Sequence, residues 1–431
     1  MSASVATDVA KDYDVIVVGG GPAGTSASVH LALQGARVAL VERERFPRAK
    51  LCGEFNSPEC LAHFARLGVL EEMRAAGAAR VGETVFFARS GRRVRVPSAW
   101  FGGEATGGGE ACALGLSRAE MDHRLMQRAR AVGVDVWEES QVAGLLFADE
   151  GRRVDGVRVE RGGVTAELRA CVTIDATGRA RSLARWIEGA VKGNAGGGAH
   201  EARAHEARAH EARAHAGASP KRMPLVAFKA HLENVGVGAS VCEIYFYRGG
   251  YGGLSRVEKG LSNLCFIVAA GDVRERASDA ERVMREIVMS NTRAAETLRG
   301  ARVSSPWLAV ALESFGRREL VPCDGLLTVG DAASFIDPFT GSGMLMALES
   351  GELAGAVVAR ALQTLRAGGQ FEPLATEYHA RYQARFAARL RVCSWLRRAA
   401  FAPGLATEAG IIALGASERV RRALARATRQ A

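Results

Sequence analysis

With 431 residues, 48% of them hydrophobic and 24% charged, the chain is too long for one ordinary core, so two domains or one elaborate α/β domain are expected. The formal charge of +10 is concentrated in residues 381–431, which hold eleven arginines against two glutamates, a net +9; the nearly neutral body excludes nucleic-acid binding by the core. No apolar run reaches transmembrane length, the opening MSASVATDVAKDYD lacks an export-signal core, and the eight cysteines show neither a CxxC pair nor metal-ligand spacing, so a cytoplasmic chain with reduced thiols and no metal site is expected.

In chain order, DVIVV (Asp14–Val18) predicts a short buried strand, GGGPAG (Gly19–Gly24) fits G-x-G-x-x-G through Gly19, Gly21 and Gly24, and TSASVHLALQGA predicts a helix before a second strand, RVALVE, ending at Glu42. Glycines there permit the turn and the close approach of a pyrophosphate, the helix N-terminus favours its charge, and an acid twenty-three positions after the first glycine can bind a ribose diol. The unit predicts dinucleotide binding. Next come RERFPRAKLCGE (Arg43–Glu54), LSRAEMDHRLMQRA (Leu116–Ala129) and VTIDATGRARS (Val172–Ser182), the last a strand ending in an acid and a glycine.

Residues 194–220 interrupt the pattern with three HEARA repeats and four of the nine histidines. A five-residue step turns about 140° on a helix, so these histidines do not share a face, and a low-complexity surface insertion is expected. Deleting residues 196–217 is expected to leave cofactor binding intact, which the bound flavin content of the purified deletion would check. Short strand-like runs follow, MPLVAFKAHL, SVCEIYFY and LSNLCFIVAA, and then GLLTV (Gly325–Val329) leads into GDAASFIDPFTGSG and an apolar helix. Here again a strand ends in an acid, a glycine-permitted backbone follows, and a helix N-terminus faces something anionic or electron-rich. Beyond it Tyr382, Phe386, Leu390 and Cys393 share one helical stripe beside Arg381, Arg385 and Arg389, which predicts a helix docked on the parent domain, with a peripheral membrane-surface helix as the alternative.

These motifs, in this order, resemble FAD-dependent oxidoreductases built like p-hydroxybenzoate hydroxylase, particularly the geranylgeranyl reductase branch, over about Tyr13 to Arg366. The resemblance implies an α/β fold: a Rossmann-type FAD-binding domain assembled from residues 12–80, 113–190 and 321–368, an antiparallel substrate sheet from 81–112 and 221–320, and a basic helical segment over 369–431. It implies that Gly19, Gly21, Pro22, Ala23 and Gly24 cradle the pyrophosphate, that Glu42 and Arg43 lie at the adenosine ribose, and that Arg118 lies near the phosphates. Gly330 and Asp331 would meet the ribitol, and Pro338, Gly341, Ser342, Gly343 and Met344 the flavin pyrimidine. Asp175, with Gly178, either supports the cofactor or caps its own turn. Cys52 either shapes the flavin environment or is an inert small hydrophobe. No second G-x-G-x-x-G follows a strand, so NADPH or NADH would bind transiently as electron donor.

The substrate implied is a lipophilic or aromatic small molecule. Hydroxylation with NAD(P)H and O2 of an aromatic or polyketide-like compound is ranked first. Reduction of a C=C bond is the alternative suggested by KLCGE, although Tyr251–Asn263 (YGGLSRVEKGLSN) lacks the Trp, Phe, Pro and Lys pattern of the reductases and argues against a prenyl diphosphate. Halogenation is disfavoured because no two tryptophans lie two residues apart. A flavin-binding module without turnover is the third alternative. Cys52, Glu54 and Asp337 are catalytic candidates by position alone, as is His231.

Overall fold

The computed structural model describes residues 11–102, 111–148, 152–194, 224–312, 315–401 and 404–429. The HEARA repeats lie outside these. The first predicted strand is β1 (Lys11–Val18), and helix α1 (Pro22–Leu33) begins inside the glycine motif, ahead of the predicted start, because Pro22 at its first position presets a helical φ. After β2 (Val38–Val41) and α2 (Pro58–Leu67) come a hairpin, β3 (Glu83–Phe87) and β4 (Arg93–Pro97), and helix α3 (Arg118–Ala131). Strands β5 (Asp135–Trp137), β6 (Gln141–Ala148), β7 (Arg153–Arg161) and β8 (Val164–Asp175) lead to helix α4 (Ser182–Asn194).

The second half supplies β9 (Leu225–Glu233), β10 (Val241–Tyr247), β11 (Gly250–Arg256), β12 (Ser262–Ala269), β13 (Arg302–Val303) and β14 (Leu308–Leu312). Strand β15 (Leu326–Thr328) then precedes four helices, α5 (Gly343–Arg366), α6 (Glu372–Ala400), α7 (Gly404–Ala416) and α8 (Glu418–Ala427).

Two sheets carry the molecule. The first runs β5-β2-β1-β8-β7-β6 with β15 beside β8. Strand β8 does double duty: its early residues pair antiparallel with β7, and Thr173 to Asp175 pair parallel with β15. The parallel strands β2, β1, β8 and β15 therefore end together, and the Gly19–Gly24 turn, Ala176–Gly178 and Gly330–Asp331 emerge at one edge. The second sheet runs β13-β9-β12-β11-β10-β3-β4 with β14 beside β9, antiparallel except where β10 meets β3, so the early hairpin joins the later strands as expected.

Helix α5 lies close against α1 because two of its glycines remove the side chains that would collide. A Cβ on Gly351 would stand 2.2 Å from the Ala23 carbonyl oxygen, and one on Gly355 3.0 Å from His30 Cβ. The α6 stripe docks as predicted: Tyr378, Tyr382, Phe386 and Cys393 are buried in the same core, and the Tyr378 hydroxyl donates to Thr328 O at 2.7 Å. The apolar stripe of α6 is thus turned inward. Arg389, read from the sequence as one of the basic neighbours of that stripe, is fully buried and ion-paired with Glu349. Among the described helices none is long and apolar enough to cross a membrane. Helices α7 and α8 cross to the other sheet, where Ile411 packs with Val94 and Phe246, and Ala425 with Val96, Trp100 and Phe101.

Candidate functional site

Between the two sheets lies a cavity of about 840 Å³. One end is built by the β1–α1 turn. Gly19 has φ +108°, and a Cβ there would stand 2.4 Å from the Ala176 carbonyl oxygen; a Cβ on Gly24 would stand 1.9 Å from the Gly19 oxygen. The turn can therefore close only with bare backbone. Gly19, Gly21, Pro22 and Ala23 line the cavity, whereas Gly24 serves the packing behind it.

Glu42 lines this end too, fixed by the amides of Gly20 at 2.7 Å and Glu44 at 3.0 Å, one on each oxygen. Each oxygen keeps a lone pair for a ribose hydroxyl. Arg43 lies at the mouth with its side chain 67% exposed, 3.4 Å from Glu44. Arg118 is buried and held bidentately by Asp122 at 2.8 and 2.7 Å. Burial alone would lower its pKa, but the Asp122 carboxylate outweighs that and raises it, so the guanidinium stays charged. It reaches the glycine turn, since a Cβ on Gly21 would lie 3.8 Å from Arg118 Nη2.

Midway along the cavity stand Gly330 and Asp331. Gly330 has φ +59° and leaves no room for a side chain against Ala23. Asp331 lines the cavity, and burial pushes its carboxyl up, opposed by the charges of Arg179, Arg118 and Lys50. Among the described residues no hydrogen bond occupies its side chain, which leaves it free to accept from a ligand's hydroxyls. Pro338, Gly341, Gly343 and Met344 line the far side of this region, at the N-terminus of α5.

Four further predicted residues make contacts within the protein. Asp175 is buried and caps its turn: one oxygen accepts from the Thr177 amide (3.0 Å) and hydroxyl (2.6 Å), the other from the Ala184 amide (3.0 Å). The residues that follow, Ala176 to Ala180, reach the cavity wall instead. Ser342 faces away, donating to Thr428 O at 3.0 Å. Cys52 lines the cavity, where a role in the flavin environment would place it; its Sγ accepts from the Glu54 amide at 3.3 Å, and burial pushes its thiol up.

Glu54 is the fourth. It is fully buried, at φ +54°, with Lys229 Nζ and the Arg118 amide (2.8 Å) on Oε1 and His231 Nε2 on Oε2 at 2.7 Å. Burial would raise its pKa, yet the His231 hydrogen bond and the Lys229 charge outweigh it and hold the carboxyl below its usual range. The group is thereby a clamp tying the KLCGE loop to β9, unsuited to giving up a proton. Lys229 and His231 lie two apart on one strand face, a spacing visible in MPLVAFKAHL, but nothing local announces a partner some 175 positions away.

The inner end is apolar and aromatic. Phe86, Phe246, Tyr251 and Phe339 line it, with ring centroids 5.6 Å apart for Phe246 and Phe339 and 5.3 Å for Tyr251 and Phe339. The Tyr251 hydroxyl donates to Asp337, which also accepts from the Phe339 amide at 2.9 Å and lies 2.8 Å from Arg397 Nε. Burial pushes the Asp337 carboxyl up against those three partners. Leu396, Ile411, Leu414, Leu424 and Arg429, which sequence reasoning missed, line the cavity too.

A glycine cradle, an acid beside it, a buried guanidinium and a second unpartnered acid along one cavity define a dinucleotide site of extended shape. The chain belongs to the FAD binding domain family, whose pattern matches residues 12–364, and the unpartnered Asp331 and the side-chain-free turn fit that cofactor. It is an FAD-dependent oxidoreductase by family. The digeranylgeranylglycerophospholipid reductase of Methanosarcina mazei is 26% identical over 353 residues, covering 80% of this chain and 74% of that one. A geranylgeranyl bacteriochlorophyll reductase-like protein from Thermoplasma acidophilum superposes with a TM-score of 0.74 at 18% identity, over 97% of this chain and 96% of that one. A flavin-dependent brominase superposes at 0.72 and 20% identity, over 96% and 94%. At these identities the two structures share the fold.

Proposed function

We propose that the protein hydroxylates an aromatic or polyketide-like lipophile, using NADPH or NADH and O2. The observation that carries this reading is the aromatic lobe at the inner end of the cavity, where Phe86, Phe246, Phe339 and Tyr251 present faces and edges suited to a planar ring. Bound FAD would supply the redox chemistry, taking electrons from the nicotinamide and delivering oxygen. Gly19 to Ala23, Glu42, Arg118 and Asp331 would hold it, and the apolar walls would exclude water.

This chain's own chemical contribution is a proton path. A phenolic hydroxyl bound at Tyr251 can pass its proton to the Tyr251 oxygen while Tyr251 passes its own to Asp337, whose carboxyl is pushed up by burial and so accepts more readily. Asp337 then acts through Tyr251 rather than on substrate.

Mixing anaerobically reduced protein with oxygen under stopped flow tests the reading. A transient spectrum distinct from both reduced and oxidised flavin supports it, and direct, slow reoxidation rejects it. In Tyr251→Phe, flavin reduction is expected to proceed at the parent rate while hydroxylation of a bound phenol slows at least tenfold.

Reduction of a C=C bond in a lipophilic substrate is the second reading. It is favoured by the several relatives named digeranylgeranylglycerophospholipid reductase that align over about four fifths of this chain.

A further inference from the structure

Arg429 enters the cavity wall from beyond the family-matched region. It is 3% exposed and grips the turn before α5: Nη1 donates to Gly341 O at 3.0 Å and Ser342 Oγ at 2.9 Å, Nη2 to Thr340 O at 2.8 Å. Its guanidinium stands 4.7 Å from the centre of the Phe101 ring, and its Nε has no partner among the described residues.

No described ion pair cancels this charge. Glu349 is already taken by Arg385 and Arg389, and the carboxylate oxygens of Glu59, the other acid nearby, are buried without a hydrogen-bond partner. Burial pushes the Glu59 carboxyl up, opposed by the charge of Arg429, and the two form no ion pair among the described residues. A buried cation held by no ion pair is costly, and negative charge brought by a ligand would offset part of that cost. The same spot is the N-terminus of the 24-residue helix α5, where Ser342 gives no side-chain cap to the first amides. Two sources of positive potential therefore converge on one stretch of cavity wall.

FAD offers two anionic regions. Its diphosphate belongs at the Gly19–Gly24 turn, at a different helix. The other arises on reduction: a hydride from a reduced nicotinamide adds to the flavin ring at N5, the nicotinamide leaves oxidised, and with no further proton taken up the ring keeps one negative charge spread over N1 and C2=O. We propose that Arg429, with the N-terminus of α5, is the site that stabilises this charge and so raises the flavin's reduction potential. The inference rests on the FAD-binding assignment and is independent of whether the enzyme hydroxylates or reduces its substrate.

The test uses the full-length holoprotein with Arg429→Met and Arg429→Lys. The midpoint potential is measured by equilibration with a reference dye, and the Kd for sulfite is measured because sulfite adds to oxidised flavin and leaves negative charge on the same end of the ring. Arg429→Met is expected to weaken sulfite binding at least about tenfold and to lower the reduction equilibrium by a similar factor, about 30 mV for a two-electron couple, while Arg429→Lys retains most of both. Values unchanged within about twofold in Arg429→Met would overturn the proposal. So would a wild-type potential that depends on added chloride and loses that dependence in Arg429→Met, which would give the site to a free anion. Should Arg429→Met not retain FAD, Arg429→Gln replaces it; loss of FAD from both uncharged variants would make Arg429 part of the fold's closure and equally overturn the proposal.

Discussion

Gly24→Ala is expected to purify without flavin, its visible absorbance relative to protein falling more than tenfold from that of the parent. The added methyl is the smallest side chain possible, and helix α1 would tolerate it on propensity alone. The obstruction is positional: the new Cβ would stand 1.9 Å from the carbonyl oxygen of Gly19. That oxygen cannot retreat easily, because Gly19 is itself wedged against Ala176 O at a φ of +108°. The turn must open, and with it the surface that would receive the pyrophosphate. Gly35→Ala, at a surface glycine whose Cβ would meet nothing within 4 Å but whose φ of +79° strains a side chain, is a control for backbone strain away from the cavity and is expected to keep its flavin.

Glu54→Leu is expected to cost about 3–5 kcal/mol of stability, read from chemical denaturation followed by protein fluorescence. The substitution leaves Lys229, 2% exposed, with only the Lys50 carbonyl at 3.3 Å, and strips the Arg118 amide and His231 of their acceptor. Adding Lys229→Met should recover much of the loss, because an apolar pair replaces an orphaned cation. The pH dependence has a definite sign. Glu54 is held below its ordinary value of 4.5, so its contribution is fully present above that value and is lost as pH falls through the lowered folded pKa. The gap between parent and variant should therefore narrow in acid.

What the sequence made legible is what neighbouring residues decide. The β1–α1–β2 unit, Glu42 and the strand before Gly330 could be read because a turn, a helix start and a strand each leave their mark within a dozen residues. Asp175 sits at the margin: Thr177, two residues on, is the partner that an Asx-type turn uses, so the capping role was visible beside the cofactor role. The Glu54 clamp and the α7–α8 wall were not legible. Lys229 and His231 read as two polar residues on an apolar strand until β9 is placed under the KLCGE loop. Helix α7 (GLATEAGIIALGA) is apolar on most of its circumference, so only tertiary packing decides that Ile411 and Leu414 face the cavity. Arg429 looks like any other arginine of a basic segment.

The cavity takes its walls from residues as far apart in the chain as Gly19 and Arg429. A ribosome makes those residues some four hundred positions apart, and the wall contributed by α7, α8 and Arg429 does not exist until residue 429 has left the exit tunnel. The glycine cradle and β1 can fold long before. Flavin that docks on the nascent chain would thus meet an open trough, enclosed only when helices α7 and α8 settle across the β4 edge.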